Sequence, residues 1–157
     1  MIQLKLHPLD PHDDDQVAFL FRCRTHPEVD AQLFSPPPPD YETHRRYVQK
    51  NASRFYLAEV DGVWVGYSQI DRKAVKEVDI GFVISPEWQN RGYGQQLVRC
   101  TLELARSLIS EDQEVQLRVF ADNKRAVHIY EKLGFREYER AEGIVHMKYS
   151  HPLPQNP

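Results

Sequence analysis

Cysteine is scarce in this chain. Cys23 and Cys100 are the only two, and they share no metal-ligand or redox spacing. A disulfide scaffold is therefore excluded, and 157 residues can bury roughly 70% of their unfolded surface without one. Long apolar runs are also missing. None approaches the ~20 residues that a membrane span needs, so no membrane partner is expected. Charge of one sign does not dominate either: the formal net charge is −3, which gives nucleic acid no electrostatic foothold. The seven histidines are scattered without metal-ligand spacing, so no metal is expected. Met1 to Pro8 lack a signal-peptide core, which points to a reduced, cytoplasmic protein.

What remains is a hydrophobic content of 41% and a charged content of 27%, ordinary for a soluble globular chain. One domain over residues 1–150 is expected, with a disordered tail at 151–157. Four of the prolines fall together at Pro36 to Pro39. That run reads as a rigid extended spacer, because it lacks the flanking basic residues of an SH3 ligand.

Ile2 to Leu6 alternates as a first strand. Asp13 to Asp15 open a helix with Val17, Ala18, Leu20 and Phe21 on one face, and Arg24-Thr25-His26-Pro27 breaks it. A short helix is expected over Glu28 to Phe34, and another, capped by Asp40, runs to about Asn51. Arg54 to Val60 is apolar on both sides, as a central strand is. The Asp61-Gly62 turn sends Val63 to Ile70 back beside it, and Asp71 to Ala74 connect onward. Three strands joined this closely make an antiparallel meander.

The third strand of that meander leads into the most informative stretch. Val78, Ile80, Phe82 and Ile84 share one side of it, and Glu77, Asp79, Gly81 and Val83 the other, until Pro86 ends the pairing. Gln89-Asn90-Arg91-Gly92-Tyr93-Gly94 then opens a helix with apolar positions Leu97, Val98, Thr101, Leu104, Ala105 and Leu108. A strand, a glycine-containing loop and a helix start together form an anion site. The loop lacks the Gly-Lys-Ser/Thr end of a P-loop and the third glycine of a dinucleotide fingerprint. Without a ligand, the same residues would be a tight strand-to-helix turn.

Val115, Leu117 and Val119 form the next strand, reached by a crossover expected to be right-handed and parallel. Asp122 caps a helix with Ala126, Val127, Ile129, Tyr130 and Leu133. Gly134 ends it, and Phe135 to Tyr138 with Ile144 to Tyr149 make a final hairpin.

The loop Gln89-x-x-Gly92-x-Gly94, followed by Asn123-x-x-Ala126-x-x-x-Tyr130-x-x-x-Gly134-Phe135, resembles the two hallmarks of the GNAT family of N-acetyltransferases. The resemblance covers residues 54–149 most firmly. It implies a GNAT fold of the α/β (α+β) class. Such a fold has a mixed, largely antiparallel sheet of about six or seven strands, with a splayed parallel pair flanked by helices. It also implies acetyl-CoA as acyl donor, with Val83, Ile84, Gln89, Asn90, Arg91, Gly92, Tyr93, Gly94, Gln95, Asn123, Ala126 and Tyr130 as its contacts.

The chemistry fits those positions. Loop backbone donors suit a pyrophosphate. An N–H near Val83 suits the oxyanion formed when an amine attacks a thioester. Tyr130, with a phenol pKa near 10 against about 8.5 for a thiol, suits protonation of the leaving sulfur. Candidate bases for the amine are Glu77 and Asp79, with His146 and His44 as further candidates; each could equally be a structural or solvated side chain.

Arg24-Thr25-His26-Pro27-Glu28-Val29, the Tyr41-Glu42-Thr43-His44 helix start and Ile144-Val145-His146 resemble a narrower group within the family. Its members acetylate the 4-amino group of nucleotide-linked dideoxy-amino sugars, as in pseudaminic acid biosynthesis. Arg24, His26 and His44 are then the expected acceptor contacts, and a small-molecule amine the expected partner. Ribosomal-protein N-terminal acetyltransferases share the first two features, so protein N-termini stay open as acceptors. So do a non-catalytic acyl-CoA-binding role and a homodimer.

Overall fold

The computed structural model describes residues 3–30, 33–34, 36–72 and 75–149. Among them, seven strands form one sheet: β1 (Lys5–Pro8), β2 (Phe55–Val60), β3 (Val63–Asp71), β4 (Glu77–Ile84), β5 (Glu114–Phe120), β6 (Phe135–Ala141) and β7 (Ile144–Tyr149). Their order across the sheet is β1-β2-β3-β4-β5-β7-β6. Neighbours run antiparallel except β4 and β5, which are parallel. This is the mixed, largely antiparallel architecture expected. The expected first strand is displaced, because pairing runs from Lys5 to Pro8 opposite Glu59 to Tyr56. A proline is tolerated there because β1 lies at the sheet edge.

Helices α1 (Asp14–Thr25), α2 (Pro27–Asp30) and α3 (Tyr41–Asn51) precede the meander, α4 (Tyr93–Leu108) links the parallel pair, and α5 (Lys124–Lys132) follows β5. Asp13 caps α1, accepting from the Asp15 and Gln16 N–H groups, and His26, extended before Pro27, ends it. Asp40 caps α3 through Thr43 N–H at 2.7 Å. The short helix expected over Glu28 to Phe34 is seen only as α2. Residues 31–32 lie outside the described set, as do 73–74 of the expected Asp71–Ala74 connection and the 151–157 tail.

One apolar layer joins α1 and α3 to the sheet through Val17, Leu20, Val48, Phe55 and Leu57. A second joins the other side of the sheet to α4 through Val78, Leu102, Ala105, Val115 and Leu117, with Phe135 and Met147 buried among them. β2 contributes to an apolar cluster on each side, Phe55 and Leu57 to one and Ala58 and Val60 to another, as a central strand should.

Three details differ from expectation. In α1 the buried residues are Val17, Phe19, Leu20 and Cys23. Phe21 is drawn to the seam with α3, its ring 5.4 Å from Tyr41 and 5.2 Å from His44. In α4 Leu102 is buried, whereas Leu108 is 37% exposed where the helix runs out past its partners. The cap of α5 is Asn123, one residue after Asp122, because its Oδ1 accepts from Ala126 N–H at 3.2 Å.

Candidate active site

β4 and β5 pair over only three positions, Glu77–Glu114 to Asp79–Gln116, and then part. The ladder's phase decides which backbone groups face the opening. Glu114 N–H donates to the Lys76 carbonyl at 2.7 Å, so Lys76 faces β5. Ser85 N–H donates to the Val65 carbonyl at 2.8 Å, so Ser85 faces β3. Alternate residues of a strand turn their polar groups to the same neighbour. Both bonds therefore turn Phe82 and Ile84 toward the opening and Val83 toward its β3 partner Tyr67. Gly66 confirms the close approach on that side, since a Cβ there would stand 2.1 Å from the Val83 carbonyl oxygen. The N–H groups that face the opening are therefore those of Phe82 and Ile84, and the Val83 N–H faces β3.

Beyond Ile84 the chain makes a 3₁₀ turn over Pro86–Trp88. Gln89 Nε2 donates to the Ile84 carbonyl at 2.9 Å, so Gln89 ties the loop to the strand. Asn90 is left-handed at φ 63°, and its Oδ1 accepts from Arg125 Nη1 of α5 at 3.1 Å. Arg91 lies over the Trp88 ring at 4.9 Å. Gly92, at φ 85°, stands at the N-cap of α4, a backbone state that glycine adopts without strain. No side chain caps that helix, so the N–H groups around Tyr93, Gly94 and Gln95 point outward with the positive end of the helix dipole.

A cavity of about 260 Å³ is lined by residues on either side of the split. It brings together Tyr130, Asp79, Asn123, Val83 and Arg24 from the expected set. Tyr130 packs its ring edge-on against Phe82 at 5.5 Å, and burial holds its phenol pKa well above the ordinary value. Asp79 is half-buried and its Oδ1 accepts from Gln116 Nε2 at 2.7 Å; Gln116 Oε1 in turn accepts from the Tyr138 hydroxyl at 2.9 Å.

Four expected residues are placed elsewhere. Glu77 is exposed at the start of β4. His146 is half-buried on β7, in register with Arg118 and Glu139, and edge-on to Tyr138 at 6.0 Å. The His26 Nδ1 accepts from Glu28 N–H at 3.2 Å and so serves α2.

His44 is fully buried. Its Nε2 lies 3.1 Å from the Val17 carbonyl, a contact that requires the proton on Nε2 and leaves Nδ1 facing Arg24 Nη1 at 3.5 Å. Burial above all pushes its pKa down to about 4. This enclosed imidazole braces α1 against α3 and does not line the cavity described above.

The cavity also contains charged and polar groups that the sequence did not single out: Asp71, Arg54, Arg118, Gln69 and Tyr67. Tyr67, Gln69 and Asp71 share one face of β3 at period two, a pattern that extending the strand by one residue would have exposed. Among the described residues, no three His, Cys, Asp or Glu side chains cluster as metal ligands, and no helix is long and apolar enough to cross a membrane.

The split parallel pair beside an uncapped, glycine-led helix is the arrangement that the two sequence motifs imply. Residues 18–135 match the Acetyltransferase (GNAT) family, and the chain belongs to it. It is an N-acetyltransferase. The L-amino acid N-acetyltransferase AaaT of Escherichia coli K12 is 30% identical over 114 residues, 69% of this chain and 70% of that one. The acetyltransferase PseH of Campylobacter jejuni is 22% identical over 148 residues, 92% of each chain. The spermidine N-acetyltransferase of Vibrio cholerae, solved in complex with CoA and spermine, shares the fold at a TM-score of 0.79 and 19% identity, over 93% of each chain.

Proposed function

We propose that this chain moves the acetyl group of acetyl-CoA directly to a primary amine in a ternary complex, within a single domain over residues 1–150. The observation that carries the proposal is the parting of β4 and β5 beyond Asp79 and Gln116, which leaves the Phe82 and Ile84 backbone facing the split, with Phe82 and Tyr130 lining one cavity.

Acetyl-CoA supplies an activated thioester carbonyl and leaves as a thiol. The uncapped N–H groups at the start of α4 suit its diphosphate. The Ile84 N–H suits a pantetheine amide, and the Phe82 N–H suits the oxygen that gains charge as the amine attacks, where a fixed donor in a dry cleft counts most. Tyr130 keeps its proton at Oη for the departing sulfur. Burial raises the phenol pKa, which keeps the hydroxyl protonated until a thiolate forms beside it. Of the candidate bases Glu77, Asp79 and His146, Asp79 alone lines the cavity, which favours it for taking the amine proton. The free thiols of Cys23 and Cys100 suit a reducing, cytoplasmic setting.

The first acceptor to test is a nucleotide-linked 4-amino-4,6-dideoxy sugar. Its support is the relationship to PseH along almost the whole chain and the presence of Arg24 in the cavity. Thiol release should be measured with a UDP-linked 4-amino sugar and with N-terminal peptides. Release with the sugar alone supports this acceptor; release with peptides alone replaces it by protein N-terminal acetylation. Binding of acetyl-CoA without release from any amine would leave a non-catalytic module.

A further inference from the structure

We propose that the acceptor is an amine carrying its own anionic group, with Asp71 holding the ammonium and Arg118 and Arg24 the anion. This rests on the acetyl-transfer reading above and specifies the acceptor for the same site.

Asp71 ends β3, is only 7% exposed, and lines the cavity. Its Oδ2 accepts from Gln69 Nε2 at 2.8 Å, but its buried Oδ1 has no hydrogen bond among the described residues. Arg54 Nε stands 3.4 Å from Oδ1, near enough for charge attraction but not aligned to donate. A buried carboxylate oxygen left this way is costly unless a donor arrives. Asp79 is its partner across the ladder, so two carboxylates meet on one side of the cavity. Arg54 balances one of those charges, and a primary ammonium would balance the other while bringing N–H donors to Oδ1.

Two further guanidiniums share the cavity. Arg118 lies over the Phe34 ring at 4.6 Å, and Arg24 over the Tyr47 ring at 5.3 Å. Among the described residues, neither has a carboxylate within ion-pairing distance. Arg24 Nη1 faces His44 Nδ1 at 3.5 Å, and the remaining N–H groups of the two stacked guanidiniums suit a carboxylate or phosphate. A polycation such as spermidine would meet three guanidiniums in a cavity of about 260 Å³. A compact amine with its own negative charge satisfies both sides.

The test is thiol release at saturating acetyl-CoA from five acceptors: L-phenylalanine, L-phenylalanine amide, a UDP-linked 4-amino sugar, spermidine and tyramine. The expected result is kcat/KM at least about tenfold higher for phenylalanine than its amide, or for the UDP-linked sugar than for spermidine and tyramine. A factor of ten is the usual worth of one charge-assisted contact. The first outcome identifies a carboxylate as the anion, the second a diphosphate. Arg118→Gln should lower kcat/KM for the preferred anionic amine about tenfold and leave the amide and tyramine within about twofold, a split that a structural defect would not produce. Asp71→Asn should raise KM for every acceptor about tenfold with KM for acetyl-CoA unchanged. Equal or better rates with spermidine or tyramine in the wild type, or a change confined to KM for acetyl-CoA in either variant, would overturn the inference. Thiol release from none of the five, with acetyl-CoA still bound, would instead overturn the acetyl-transfer reading and this inference with it.

Discussion

Tyr130 stands edge-on to Phe82, ring centroids 5.5 Å apart, so the candidate acid packs against a residue whose backbone is turned into the split. The Tyr130 hydroxyl has no hydrogen-bond partner among the described residues, and its ring also packs on Phe135 at 6.2 Å. Tyr130→Phe therefore keeps the packing and removes only the proton donor. Its urea midpoint should match the wild type, while kcat for thiol release should fall about 10²- to 10⁴-fold, the usual range for one general acid. An unchanged kcat across pH would remove Tyr130 from the chemistry.

Gly66 and Val83 set the shape of the split. A methyl at Gly66 would lie 2.1 Å from the Val83 carbonyl oxygen and 3.0 Å from the Ile84 Cα, and both are backbone atoms that cannot swing aside. Gly66→Ala should cost about 1–3 kcal/mol, as forced overpacking does. It should also weaken acetyl-CoA binding, because β4 itself must move. Chemical denaturation and calorimetry on one sample would show whether the two losses occur together.

Gly94 offers the opposite case. A Cβ there meets nothing within 4 Å, and the residue lies in the first turn of α4. An aspartate at that point interacts favourably with the helix dipole, by about 0.3–1 kcal/mol. Gly94→Asp should fold at least as stably as the wild type yet bind CoA at least about tenfold more weakly, because its carboxylate repels the diphosphate. Unchanged affinity would move the diphosphate away from this helix.

His44 gives a pH signature that belongs to folding. Burial lowers its pKa from 6.5 to about 4. The unfolded chain therefore binds the extra proton first, between those two values, and the folded state loses stability as pH falls through that window. Stability from His44 is complete above about pH 6.5 and declines by up to about 1.4 kcal/mol per pH unit below it. Denaturation midpoints at pH 7 and pH 4.5 should differ less in His44→Gln than in the wild type. An equal difference would mean that other groups carry the acid sensitivity.

The sequence makes some of this architecture legible and hides the rest for physical reasons. Val78, Ile80, Phe82 and Ile84 alternate clearly because one face of β4 packs into an apolar layer while the other carries Glu77, Asp79 and Gly81, so β4 and its exit loop can be read directly. Side-chain alternation does not reveal which neighbouring strand a backbone N–H faces. That phase is fixed by pairing with β3, so the sequence points to Val83 and Ile84 together, whereas the ladder turns Ile84 and Phe82 toward the opening and Val83 away from it. The apolar pattern of β3 runs out at Ile70 and leaves Asp71 looking like part of a connection; its pairing with Asp79 extends β3 by one residue and brings it to the cavity. His44 has the chemistry of a base, but the packing of α1 on α3 decides that it is enclosed. Asp122 and Asn123 are both good caps, and only the backbone angle at the β5 exit chooses between them.

Acetyl-CoA laid along the β4 split with its diphosphate on α4 should perturb the backbone of both elements, which backbone amide NMR with CoA titrated into the protein would read. The largest shifts should fall on Phe82, Ile84, Tyr93, Gly94 and Gln95, with smaller ones at Tyr130. Saturable binding with its largest shifts away from β4 and the start of α4, or no shifts at millimolar CoA, would rule this placement out.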